Sequence, residues 1–297
     1  MERRINSTVR QYFNLRPTST TSQQVKQSTT PTTSATWKTA APQKNAPSSS
    51  SPTPATRDGA PLIDDEDFSK MHRLTGIDAL EVGYFWLVLK RHLDYDVTFA
   101  SPRGGAVALD PMSLELANKD EKLKDKLRND REFMERVSHT MPIRWINPKD
   151  YQVVLVPGRH GALFDLPECR DVASCISEIW SNDGWVCAIG HGVAALLNVK
   201  TDKGEYFVKN KTITCYSNAE EREKRFDDYL PYLLEDKLKE RGAKIDNAGP
   251  FKPHVVEDEK DRIITGQSFP SIKQFVAKIA EKTAGKKPFD VEQVQWK

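Results

Sequence analysis

Gly190-His191-Gly192 sits where the chain has its most chemically suggestive spacing. It follows the apolar run Trp185-Val186-Cys187-Ala188-Ile189 and precedes the apolar stretch Val193–Asn198. A buried strand that turns this sharply into a helix lifts its central residue to the helix N-terminus. There, backbone N–H groups and the helix dipole stabilise an anion. A Ser or Cys at such a tip is an activated nucleophile. The tip here is Gly190, which has no side chain and forms no covalent intermediate. Losing the nucleophile from a concerted site costs on the order of 10⁶ in rate. The four cysteines, Cys169, Cys175, Cys187 and Cys215, form no CxxC pair. A zinc finger and a disulfide-stapled scaffold are therefore not expected, and a reducing compartment suits the chain. Cys187 lies three residues before the tip, inside the strand. It is expected to face a helix-covered core as a small hydrophobe.

The elements that position this turn follow from periodicity. Leu80, Tyr84, Leu87 and Val88 share one face of a helix predicted over 75–92. Further helices are predicted over 118–138, 168–181, 193–198, 230–241 and 271–283. Strands are predicted over 95–100, 152–156, 185–189, 254–257 and 262–265. Short apolar strands alternating with helices imply an α/β fold, a parallel sheet with helices on both faces. Sites in such sheets form at the carboxyl ends of strands.

The net charge of +2 conceals an asymmetry. Residues 1–57 carry eight Lys or Arg and one acid, so that segment is +7 and the remainder −5. From Pro17 to Arg57, 19 of 41 residues are Ser or Thr. Such a stretch buries too little to offset its ordering entropy, so 1–60 is read as a disordered basic tail and 61–297 as the folded domain. The tail is also expected to be phosphorylated. Its first sixteen residues allow three readings. Met1, Ile5, Val9 and Tyr12 share a helical face among arginines, as in a mitochondrial transit peptide. Residues 6–13, Asn6 to Phe13, resemble a sliding-clamp-binding box with Asn in place of its usual Gln. The third reading is an unstructured basic terminus. No apolar core follows the arginines, so no secretory signal is expected. The longest strongly apolar run, Tyr84 to Leu89, is far short of the ~20 residues of a membrane helix. The chain is expected in the cytoplasm or nucleus, with mitochondria as the alternative, and without direct nucleic-acid or membrane contact.

Several motifs in order carry a resemblance. Ala188-Ile189-Gly190-His191-Gly192-Val193-Ala194-Ala195-Leu196 is similar to the A-x-C-H-G-x-x-A-L elbow of the ThiJ/PfpI superfamily, within the class I glutamine-amidotransferase-like fold. Phe99 to Gly105 with Leu109-Asp110-Pro111-Met112-Ser113 resembles its ASPxGG…DPxS stretch, and Val156 to Pro167 its PGGHGxxxDLP segment. Val255-Val256 and Ile264-Thr265-Gly266-Gln267 resemble its C-terminal pattern. The insert at 219–241 points to the glutathione-independent glyoxalase and chaperone branch. The elbow wording is also similar to the animal glutamine-amidotransferase-like class 1 domain-containing proteins, which likewise carry Gly at the tip.

The resemblance implies a flavodoxin-like fold and, in active members, a Cys, the His after it, and a Glu from the first helix. Thr75 to Glu81 matches TGxxxxE, so Glu81 takes the carboxylate position, Gly190 the nucleophile position and His191 the His position. Gly158 and Arg159 fall where the family has its oxyanion pair, Arg159 replacing a Gly, and His160 and Gly161 continue the pocket loop. Glu81, His160 and His191 have the residue types of a two-His-one-carboxylate site, but their spacing is not diagnostic; no metal and no cofactor are expected. The family's first strand should precede Thr75. Asp64-Asp65-Glu66-Asp67 cannot be buried there cheaply, so this strand is expected to be missing, or very short near Leu62-Ile63. The resulting expectation is a nucleophile-lost domain that binds a small polar ligand or protein partner; the resemblance also allows a homodimer. The alternatives are a glyoxalase or protein-deglycase-like enzyme acting on methylglyoxal or its adducts, and a tail-mediated interaction protein working through residues 6–13.

Overall fold

A computed structural model describes residues 12–16, 76–284 and 290–295. Among the described residues, seven strands form one sheet in the order β3-β2-β1-β4-β5-β9-β8. They are β1 (Tyr12–Arg16), β2 (Asp96–Ser101), β3 (Met141–Pro142), β4 (Val153–Val156), β5 (Trp185–Ile189), β8 (Val255–Asp258) and β9 (Ile263–Gly266). β6 (Thr212–Ile213) and β7 (Lys244–Ile245) form a separate parallel pair. β4, β5 and β9 run parallel, with Val156 opposite Ala188 and Ile189 opposite Gly266. β8 closes the edge antiparallel.

The all-apolar strands are buried on both faces, as a helix-covered parallel sheet requires. Alternation divides them between two cores. Val153, Leu155, Cys187 and Ile189 join one, and Val154, Val156, Val186 and Ala188 the other. Cys187 thus lies in a core, as expected.

The position between β2 and β4 is the notable one. The sequence offered only Leu62-Ile63, or a gap, for it. Residues 17–75 lie outside the described residues, and the position is taken by β1 from the N-terminal segment. β1 runs antiparallel to both neighbours, with Phe13 opposite Phe99 on one side and Leu155 on the other. Tyr-Phe-Asn-Leu has the aromatic content of a strand and none of the acids that bar 64–67. Tyr12 and Phe13, the aromatic pair of the clamp-box resemblance, are extended here; the rest of that box lies outside the described residues.

The helices depart from expectation where polar residues cap them. α1 (Ala79–Phe85) begins after Asp78, whose side chain accepts from the N–H groups of Leu80 and Glu81, and it continues into wider π-type turns over Trp86–His92. The single helix expected over 118–138 is broken. α2 (Pro111–Lys119) is capped by Asp110, a short turn covers Lys126–Asn129, and α3 (Arg131–Ser138) starts at Asp130, which accepts from Phe133 N–H. Asp125 adopts a φ of +57° between them, where helix cannot continue. α4 (Arg170–Ser181) matches its expectation. The stretch after the elbow is a tight 3₁₀ winding over Gly190–Leu196, in place of the helix expected over 193–198. α5 (Asn218–Glu223) was not expected as a helix; a reciprocal box between Ser217 and Glu220 nucleates it. α6 (Leu234–Glu240) starts later than predicted, after Pro231, and α7 (Ile272–Ala284) packs on β9 and α1. Among the described residues no helix is long and apolar enough to cross a membrane.

Candidate functional site

The carboxyl ends of β4 and β5 lie side by side, and the loops leaving them nearly touch. A Cβ on Gly158 would meet Ile189 O at 2.8 Å and His191 N at 2.9 Å. Only glycine permits that approach. Gly190 follows β5 with a φ of +57°. This is the left-handed backbone that a nucleophile elbow uses, with glycine at its tip. Among the described residues, the only atom within 4 Å of an ideal Cβ at 190, chain neighbours aside, is Glu81 Oε1 at 3.5 Å. Position 190 therefore has room for a side chain, and that side chain would face a carboxyl.

Glu81 reaches this point from the first turn of α1, which Asp78 anchors. Its Oε2 accepts from Gly158 N–H at 2.6 Å. Burial, reinforced by the Asp78 charge, holds its pKa well above the ordinary 4.5. The neutral acid is favoured. The Gly158 N–H, expected as an oxyanion donor, is thus engaged by Glu81. Arg159 does not point to the elbow. Its guanidinium lies 3.0 Å from Asp110 and 3.9 Å from Asp78. Its φ is +114°, where the family motif has glycine and a side chain is strained. Gly161 leads into a helical turn over Ala162–Asp165.

His160 and His191 converge on a carboxylate that the sequence did not disclose. His191 Nε2 lies 2.6 Å from Glu221 Oε1, and His160 Nε2 lies 3.2 Å from Glu221 Oε2. The rings of the two histidines are 4.3 Å apart. Tyr216 stacks on His191 at 4.2 Å, and Phe226 packs on His160 at 4.6 Å. Burial would push Glu221 up, but the His191 charge and hydrogen bonds from both imidazoles outweigh it and hold Glu221 at about 2. Burial, then the charge of His191, lowers His160 to about 4.

No described cysteine is an activated thiol. Burial raises Cys187 far above the ordinary thiol range and Cys175 to about 12; Cys169 and Cys215 are raised as well, again chiefly by burial.

The structure therefore brings together Glu81, Gly158, Gly190 and His191, joins His160 to His191, and turns Arg159 aside. Glu221, Asp78 and Asp110 were missed. Ser217 three residues before Glu220 was the available signal for the helix that carries Glu221.

The DJ-1/PfpI family pattern matches residues 72–282. The chain is 31% identical to the Saccharomyces cerevisiae glutathione-independent glyoxalase HSP31 over 149 residues, which is 48% of this chain and 62% of that protein. It is 31% identical to the Bos taurus glutamine amidotransferase-like class 1 domain-containing protein 1 over 118 residues, 40% of this chain and 53% of that one. The matches cover less than two thirds of either relative. Among solved structures, the Francisella tularensis Rapid Encystment Protein 24 KDa superimposes with a TM-score of 0.62 at 30% identity, covering 69% of this chain and 88% of that one. With its elbow, its paired strand ends and a family pattern running through both, the chain belongs to the DJ-1/PfpI family.

Proposed function

We propose that this is a non-catalytic member whose elbow cleft binds a small polar ligand. The observation that carries the reading is the space at Gly190, a tip with elbow backbone, no side chain, and a carboxyl facing the vacancy. A neutral Glu81 can donate a hydrogen bond to a carbonyl or hydroxyl oxygen placed there. Cys175, Cys187 and Cys215 are buried and Cys169 is half-buried, and burial raises all four thiols, so none of the described cysteines is poised as a substitute nucleophile. Purified protein given methylglyoxal is expected to form no lactate beyond a protein-free blank. Gly190→Cys should gain turnover at least tenfold above that blank, because Glu81 and His191 already flank the position. The new side chain at positive φ should cost ~1–2 kcal/mol of stability.

A second reading is a glyoxalase or deglycase-like enzyme. It is favoured by the retention of Glu81 and the His191–Glu221 pair, and by relatives named for those activities. Clear wild-type turnover of methylglyoxal, abolished by Glu81→Ala, would establish it and overturn the first.

A further inference from the structure

The pair His160 and His191 with Glu221 does more than complete a hydrogen-bond chain. The three side chains come from separate, well-anchored places: the loop after β4, the elbow after β5, and α5. Both imidazoles present Nε2 to the same carboxylate, each to a different oxygen. The three ligand atoms all lie within 4.8 Å of one another. A tetrahedral zinc with bonds of ~2.0–2.2 Å places its ligand atoms roughly 3.3 Å apart. The His160–Glu221 separation of 3.2 Å already lies near that spacing, and the His191–Glu221 separation of 2.6 Å must widen to admit the ion. Tyr216 stacks on the His191 ring at 24°, and Phe226 packs against His160 at a tilt of 58°.

We propose that His160, His191 and Glu221 form a binding site for one divalent transition-metal ion of the zinc class. Two imidazoles and one carboxylate suit such an ion by ligand type. Three protein ligands leave a coordination position open, as in catalytic sites and unlike closed structural ones. The carboxylate of this set is Glu221. Glu81, the acid that the sequence set beside the two histidines, is held by Gly158 N–H instead. The site does not depend on the reading of Gly190, since none of its ligand atoms belongs to that residue.

The test uses the full chain, stripped of metal and titrated with Co(II) and then Zn(II). One Co(II) per chain is expected, with the visible bands of a low-coordinate site that zinc abolishes. X-ray absorption of the zinc-loaded chain should show two imidazole ligands. His160→Ala and Glu221→Ala should each weaken zinc binding by at least the ~10–100-fold that loss of even an outer-shell partner costs. His254→Ala, at a histidine that lies 3.5 Å from Asp246 elsewhere, should leave it unchanged. Binding that persists unweakened in the first two variants, or that follows His254, overturns the site. If a variant does not fold, the wild-type absorption data decide: fewer than two imidazoles, or sulfur in the shell, also overturns it.

Discussion

At Glu81, burial and a hydrogen bond pull in opposite directions, and burial wins. Its folded pKa lies above the unfolded 4.5. Between these values the folded chain holds a proton that the unfolded chain has released. Its contribution to stability therefore falls as pH rises through that window. Glu81→Gln keeps an acceptor for Gly158 N–H and removes the penalty. It should raise Tm above pH ~4.5, by an amount that grows across the window, each ~1 kcal/mol appearing as about 2–4 °C. Thermal melts of both proteins from pH 4 to 9 check this. A pH-independent difference would mean that Glu81 does not carry the raised pKa. Asp78 shares the arrangement, since burial raises it while Arg159 opposes.

At the scale of elements, one aspartate interrupts what periodicity reads as a long helix. Asp130 caps α3, accepts from Trp86 Nε1–H at 2.8 Å, and takes two hydrogen bonds from Arg91. It thereby ties the break before α3 to the π-type turns that follow α1. Burial alone would raise its pKa, but Arg91, Phe133 N–H and Trp86 together lower it. The stability it contributes is complete above the unfolded value of 3.8 and is lost as pH falls through the folded one. Asp130→Ala should cost on the order of 2 kcal/mol in urea unfolding at pH 7, combining a lost cap with a broken, partly buried ion pair. The loss should shrink at pH 3. An equal loss at both pH values would show that packing, not charge, is responsible.

For the whole molecule, the decisive fact is that β1 reaches the middle of the sheet from the start of the chain. β2 and β4 would both be edges without it, and unpaired central edges invite association with other chains. Leu15→Pro should be poorly tolerated, because proline is confined to edge strands and bulges and β1 is paired on both sides. A fall in Tm of at least ~5 °C is expected. Deletion of residues 1–16 should produce aggregates by size-exclusion chromatography. A monomeric deletion variant with unchanged Tm would show that β1 contributes nothing to the sheet.

Much of the fold and part of the site were legible along the chain. β4 and β5 read as buried strands because their apolar runs are continuous, and Gly190 and His191 read as an elbow because strand, glycine turn and apolar winding are adjacent in sequence. Glu81 was reached by motif, and its place facing position 190 agrees. Local sequence determined these because each depends on residues a few positions apart. Tertiary structure alone decided the partner of the two histidines, since Glu221 is 30 residues from His191 and 61 from His160. It alone turned Arg159 toward Asp78 and Asp110. It also selected Tyr12–Arg16 for the central strand, because strand pairing is a competition among distant segments for one set of backbone hydrogen bonds. No local pattern records which segment wins.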